Sequence, residues 1–253
     1  MIHFVGAGPG AVDLITVRGQ RYLKEADVII YAGSLVNKGL LEYAKEGCEV
    51  YNSAYMTLEE VIEVMIKSEK EDKMTVRLHT GDPCLYGAIR EQMDILDKKG
   101  IDYDSCPGVS SFCGAAAALN LEYTLPEVSQ SVIITRTEGR TPVPEREKIM
   151  SFAAHGATMV LFLSTGLLEK LAKELLAGGY APDTPAAIVY KATWPEEEAY
   201  VCTIDTLVET ARKHQITKTA LILVGNVVTH SHYERSKLYD PGFTTEFRKG
   251  SDS

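Results

Sequence analysis

The sequence has no C-x-x-C pair, no apolar run long enough to cross a bilayer, no excess of positive charge and only one tryptophan. Each absence removes a class of protein. Five cysteines, odd in number and scattered at Cys48, Cys84, Cys106, Cys113 and Cys202, suggest neither a disulfide framework nor a thiolate zinc site. They read as small buried hydrophobes in a reducing cytoplasm. The longest candidate span, 109–121, contains Ser110, Ser111 and Asn120 and falls short of the roughly 18–20 apolar residues of a membrane helix. Residues 1–4 run straight into glycine punctuation, with no basic and apolar leader, so no secretory signal is expected. Lysine and arginine number 26 against 35 aspartate and glutamate, a net charge of −9. That balance argues against a nucleic-acid partner, whose binding would rest on a basic surface. A small polyanionic substrate stays open, because a local arginine cluster can outweigh a global deficit.

What is present is an ordinary globular composition, 45% hydrophobic and 24% charged, spread over 253 residues. Apolar, β-branched runs at 2–5, 28–31, 74–79, 131–135, 159–163, 186–190 and 220–224 alternate with helical patterns at 18–25, 58–68, 88–98, 167–176 and 207–213. The alternation predicts an α/β protein with mainly parallel strands. Thr57 followed by Glu60 reads as a capping box, and Gly100 and Gly178 as left-handed helix ends. The small-residue stretch 107–119 divides the chain, giving two α/β domains at 1–112 and 113–240 with a cleft between them. Residues 241–253 are expected to be a disordered polar tail.

Three loops follow predicted strands. Gly6-Ala7-Gly8-Pro9-Gly10 suggests a dinucleotide site, but Pro9 removes an amide donor and Ala11 stands where the G-x-G-x-x-G spacing requires glycine. Thr80-Gly81-Asp82-Pro83 holds Asp82 where a carboxylate could accept from a ribose hydroxyl or an ammonium group, or merely cap a helix starting near Tyr86. Pro107-Gly108-Val109-Ser110-Ser111 leads into an alanine run that admits either a ligand or a closely packed helix.

In this order and spacing, V-G-A-G-P-G-x-x-D-L-I-T at 5–16, G-D-P at 81–83 and P-G-V-S-S at 107–111 resemble the tetrapyrrole methylase family, or class III methyltransferases. The resemblance runs to about Val228. It implies two α/β domains, usually in a homodimer, with S-adenosylmethionine in the cleft. It also implies that Pro9, Asp82, Leu85, Ser110, Ser111, Leu163, Ala192, Thr219 and Ala220 bind that cofactor, although Leu163 stands where many relatives have methionine and Ala192 where some have glycine. A donor without phosphate needs no anion cradle, so Pro9 ceases to be a defect. Residues 125–130 and 135–145 are similar to the branch that methylates C-11 of precorrin-4, with or without cobalt, in cobalamin synthesis. Arg136, Arg140 and Arg146 would suit the carboxylates of such a ring. The plainer account pairs these arginines with Glu138, Glu145 and Glu147 in a solvated loop.

Tyr86, Arg136 and Arg140 are the side chains expected at the ring. No general base stands out: His3, His79 and His155 are single histidines in or beside strands. No metal site is expected; His230 and His232 have a ligand-like spacing but read as exposed chain. Rival expectations are methylation of another ring position, such as C-20 of precorrin-2, an RNA- or protein-modifying branch of the family, or a non-catalytic nucleotide-binding module.

Overall fold

The computed structural model describes residues 1–229 and 233–251, so His230 and His232 lie outside the described residues. The chain divides into two compact units, one of Met1–Ala115 with Ala192–Glu196, the other of Ala116–Lys191 with the chain from Glu197 onward. A short piece of late sequence thus belongs to the first unit, which a division at one point in the chain does not anticipate.

The first unit is built on β1 (Ile2–Gly6), β2 (Val28–Tyr31), β3 (Glu49–Asn52), β4 (Thr75–His79) and β5 (Tyr103–Cys106). They form one sheet in the order β3-β2-β4-β1-β5, parallel throughout. Helices α1 (Val17–Glu25), α2 (Leu58–Lys70) and α3 (Arg90–Lys99) provide crossovers, and α4 (Ser111–Ala118) follows β5. Both sheet faces are covered, which is why β2 reads as an unbroken Val-Ile-Ile-Tyr run. Ile29 and Tyr31 enter a core with Leu23, Val76 and Leu78, while Val28 and Ile30 enter another with Phe4, Met65 and Leu96. Helix α2 opens with the predicted capping box: Thr57 Oγ1 accepts from Glu60 N–H, and the Glu60 carboxylate accepts from Thr57 N–H.

The second unit contains β6 (Val132–Arg136), β7 (Thr158–Phe162), β8 (Pro185–Tyr190), β9 (Glu198–Thr203) and β10 (Ala220–Val224), ordered β6-β7-β10-β8-β9. Only β6 and β7 are parallel here; β10 runs against both β7 and β8, and β8 against β9. The expectation of mainly parallel strands therefore fails for this sheet. Strands such as β10 are buried along their whole length, and such a pattern carries no information about direction. Helices α5 (Ile149–Ala153), α6 (Leu168–Ala177) and α7 (Leu207–Lys213) pack Ile149, Leu171, Leu175 and Leu207 against Met159, Ile188 and Ile222.

Gly100 is a left-handed helix end with φ +64°, but Gly178 is right-handed. Position 178 is glycine for space: a Cβ there would stand 2.4 Å from Ala153 Cβ and 2.5 Å from the Met150 carbonyl oxygen. In the segment expected to be a polar tail, Arg248 Nη2 donates to the carbonyls of Leu238 and Asp240. Among the described residues no helix is long and apolar enough to cross a membrane, and no group of three or more His, Cys, Asp or Glu is placed to hold a metal ion. All five cysteines are free.

Candidate active site

In the first unit the three predicted loops meet at the carboxyl ends of β1, β4 and β5, where open parallel sheets hold ligands. They are joined through backbone. Gly8 and Gly81 exchange N–H to carbonyl bonds of 3.2 and 2.8 Å. A Cβ on Gly6 would lie 2.5 Å from Gly108 Cα, and one on Gly108 would lie 2.2 Å from the Gly81 oxygen. Only glycine permits this approach. Asp82 locks the junction: Oδ1 accepts from Cys84 N–H at 2.8 Å and Oδ2 from Gly108 N–H at 2.9 Å. Partial burial pushes its pKa upward, but the hydrogen bonds from Cys84 and Gly108 outweigh that and leave it below the ordinary aspartate value. No helix starts near Tyr86; α3 begins at Arg90, so Asp82 is a turn and loop anchor rather than a helix cap.

The first loop is not an anion cradle. Ala7 N–H donates to His79 O, Gly8 N–H to Gly81 O and Ala11 N–H to Thr193 Oγ1, and Pro9 has no N–H. With these donors engaged, the geometry speaks against a pyrophosphate and fits a ligand without one. Ser110 is buried, and Ser110 and Ser111 open α4 with hydroxyls that make no hydrogen bond among the described residues. Gly114 of α4 stands where a Cβ would come within 3.1 Å of both Pro9 Cβ and Thr193 Cγ2 and 3.4 Å of Ala192 Cβ. Pro9, Asp82, Ser110, Ser111 and Ala192 are thus gathered together. Leu85 and the half-exposed Tyr86 occupy the turn that follows Asp82, where Tyr86 and Ala88 have φ of +57° and +50°. Left-handed non-glycine residues cost on the order of 1–3 kcal/mol each and collect at functional sites.

Two members of this site were not legible in the sequence. Trp194, the single tryptophan, donates from Nε1 to the Pro9 carbonyl at 3.1 Å, and its ring lies where a Cβ on Gly10 would be, 2.2 Å from Cδ1. Its neighbour Thr193, with φ +69°, accepts from Ala11 N–H at 3.0 Å. The only sequence signal was the rarity of tryptophan itself.

In the second unit the remaining predicted residues collect at one end of its sheet. Leu163 follows β7, Lys191 follows β8 and Thr219 precedes the antiparallel β10, with φ of +52°, +44° and +57°. Lys191 N–H donates to Thr219 O at 3.0 Å, and Thr165 Oγ1 donates to Ala220 O at 3.0 Å. Leu163 is 67% exposed, which suits a contact surface better than a core. Beside it lies a hollow of about 430 Å³ lined by Arg136, Thr137, Arg140, Thr141, Leu163 and Leu167.

Arg136 does not pair with glutamate. It donates from Nη1 to Thr141 O at 3.1 Å and from Nη2 to Pro142 O at 2.9 Å, shaping its own loop. Arg140 is exposed and makes no ion pair or hydrogen bond among the described residues. Glu138 instead accepts from Val143 N–H, and Glu145 pairs with Lys148. Thr137 Oγ1, on a residue only 2% exposed, has no hydrogen-bond partner among the described residues. Sequence reasoning missed this hydroxyl, because a threonine following a strand gives no distinctive signal. A larger hollow of about 730 Å³ lies between α6 and α7, but the charges on its wall are already satisfied, Arg212 by Glu169 and Lys170 by Glu174.

Neither His79 nor His3 is placed as a general base. His79 is buried, and desolvation with the neighbouring Arg77 charge pushes its pKa down to about 3, so the ring is neutral. His3 is a sheet residue bonded to Asp104 at 2.6 Å.

Glycine loops with engaged amides, a fixed aspartate and serine hydroxyls thus lie at one set of strand ends. The model of the Tetrapyrrole (Corrin/Porphyrin) Methylases matches residues 1–208. The chain belongs to this family. Among curated tetrapyrrole methylases, the cobalt-precorrin-4 C(11)-methyltransferase of Methanocaldococcus jannaschii is 55% identical over 248 residues, 98% of this chain and 96% of the relative. A solved cobalt precorrin-4 methyltransferase superposes with a TM-score of 0.88 at 48% identity, covering 90% of this chain and 95% of that one. The uroporphyrin-III C-methyl transferase of Thermus thermophilus, solved with S-adenosyl homocysteine, gives 0.76 at 28% identity, covering 90% and 99%. The chain is a methyltransferase of the class III, two-sheet α/β type.

Proposed function

We propose that this methyltransferase transfers a methyl group from S-adenosylmethionine to C-11 of precorrin-4, in its cobalt-carrying or cobalt-free form, in cobalamin synthesis. The observation that carries the reading is the 55% identity, over nearly the full length of both chains, to a relative named for that reaction. The engaged amides of the first glycine loop support a donor without phosphate.

When bound, S-adenosylmethionine supplies an electrophilic methyl group on a sulfonium, and a nucleophilic ring carbon needs little further activation. The protein's contribution is then mostly positioning. Pro9, Asp82, Leu85, Ser110, Ser111 and Ala192 in the first unit, with Leu163, Thr219 and Ala220 in the second, are the proposed donor contacts. Asp82 acts chiefly by fixing the Gly81 and Gly108 loops, because two of its acceptor positions are taken by backbone N–H groups. Tyr86, Arg136 and Arg140 are the proposed ring contacts. Arg140 offers a guanidinium that no group among the described residues neutralises, suited to a peripheral carboxylate, and Arg136 holds the loop that carries it. We place the activity in the cytoplasm, where free thiols persist, and in a homodimer.

Incubation with donor labelled in its methyl carbon, followed by NMR of the product, should place the label at C-11. Label at C-20 or C-17 would overturn the substrate. Arg140→Ala should raise the ring KM about tenfold or more, the loss expected for a charged hydrogen bond. Calorimetric affinity for S-adenosylhomocysteine should stay unchanged in that variant.

A further inference from the structure

Gln92, on the first turn of α3, is only 5% exposed, and both ends of its amide are engaged. Oε1 accepts from Arg77 Nε at 3.1 Å, and Nε2 donates to the Ala88 carbonyl at 2.9 Å. Arg77 lies mid-strand in β4, 6% exposed, and also donates from Nη1 to Ile30 O at 3.1 Å. No carboxylate pairs with it among the described residues, and burial alone pulls its pKa down to about 10. A buried cation without a counter-ion is costly. Glutamate at position 92 would supply the counter-ion but has no N–H for Ala88. A neutral amide therefore suits the loop better than it suits the cation.

That loop, 83–88, is held at both ends. Asp82 anchors the near end through Cys84 and Gly108, and Gln92 holds the far end at Ala88. Between them Tyr86 and Ala88 are left-handed, and Gly87 is so close to Pro83 that a Cβ would stand 2.2 Å from its oxygen. A conformation this unfavourable persists only where its surroundings impose it. We infer that Arg77 and Gln92 form a relay from the sheet interior that fixes the far end of the 83–88 loop, making Gln92 a positioning residue for Leu85 and Tyr86. What the loop presents rests on the methyl-transfer reading; that the relay fixes it is a property of the free chain.

Gln92→Glu separates the two roles, because it keeps the acceptor for Arg77, now as an ion pair, and turns an oxygen toward the Ala88 carbonyl. The variant should melt at or above the wild-type temperature. Its Cys84 and Leu85 amides, both hydrogen-bonded to Asp82, should exchange with deuterium about tenfold faster, with no change at β4. The ring KM should rise about fivefold as the competent loop population falls, with kcat within about twofold. Should Gln92→Glu fail to fold, Gln92→Asn, one methylene too short to bridge both partners, should show the same loop-confined exchange. Wild-type exchange at Cys84 and Leu85, or acceleration spread equally through β4, would overturn the relay whether or not the protein methylates a ring. Fast loop exchange with an unchanged KM would overturn the positioning role.

Discussion

Asp82 is the residue on which the proposed donor site turns, and its chemistry is that of a carboxylate held by backbone. Its folded pKa lies below the ordinary value near 3.9, because two N–H hydrogen bonds favour the charged form more than partial burial opposes it. The stabilisation is complete above about pH 4 and is lost as pH falls through the depressed folded value. Asp82→Asn must turn an NH2 group toward one of those two N–H donors. The variant should bind S-adenosylhomocysteine about 1–3 kcal/mol more weakly by calorimetry. It should also lack part of the acid limb in a plot of melting temperature against pH. An acid limb identical to wild type would mean that the carboxylate is not so held in solution. His79 stays neutral in the folded chain down to about pH 3, so the unfolded chain takes up its proton first: melting temperature should begin to fall below about pH 6.5, with no inflection there in S-adenosylhomocysteine binding.

At the scale of elements, the clamp of the Ala192–Glu196 segment on the first glycine loop is directly observable through the single tryptophan. Gly10→Ala places a methyl within the indole, so Trp194 must move and lose its bond to Pro9. The fluorescence of the variant should shift to the red, with stability lower by about 1–3 kcal/mol, the usual cost of overpacking. An unchanged spectrum would show that the packing does not hold in solution. The clamp spans 185 residues in sequence, a contact that no local pattern announces. Elements with strong local patterns were legible. β2 and β10, buried throughout, fall at the expected residues, and the capping box of α2 is visible in its spacing. Three of the four edge strands escaped, since β3, β5 and β9 carry polar or exposed residues such as Glu49, Asp104 and Glu198, whereas the more apolar β6 was read at 131–135. The strand-end loops were legible because glycine, proline and aspartate have few reasons to recur at fixed spacing. Thr193 and Lys191 were not, because nothing in a threonine or lysine signals a left-handed backbone, and Thr219 was named only through the family resemblance.

For the whole molecule, the proposed homodimer is checked by sedimentation. A chain of 27.8 kDa should sediment at about twice that mass at micromolar concentration, and a monomer mass would exclude the dimer. The first unit is discontinuous in the chain. Its sheet and three loops are complete in the chain by Ala115, yet Thr193 and Trp194, which close the first loop, are encoded about 80 residues later. At ribosomal rates of roughly 5–20 residues per second, the nascent sheet waits about 4–16 s for its last piece. During that interval Ala11 N–H and the Pro9 carbonyl face water. Donor binding to the nascent chain should therefore be absent before the chain through Glu196 has cleared the exit tunnel, and complete only when Thr219 and Ala220 follow, long after the parallel sheet itself has formed.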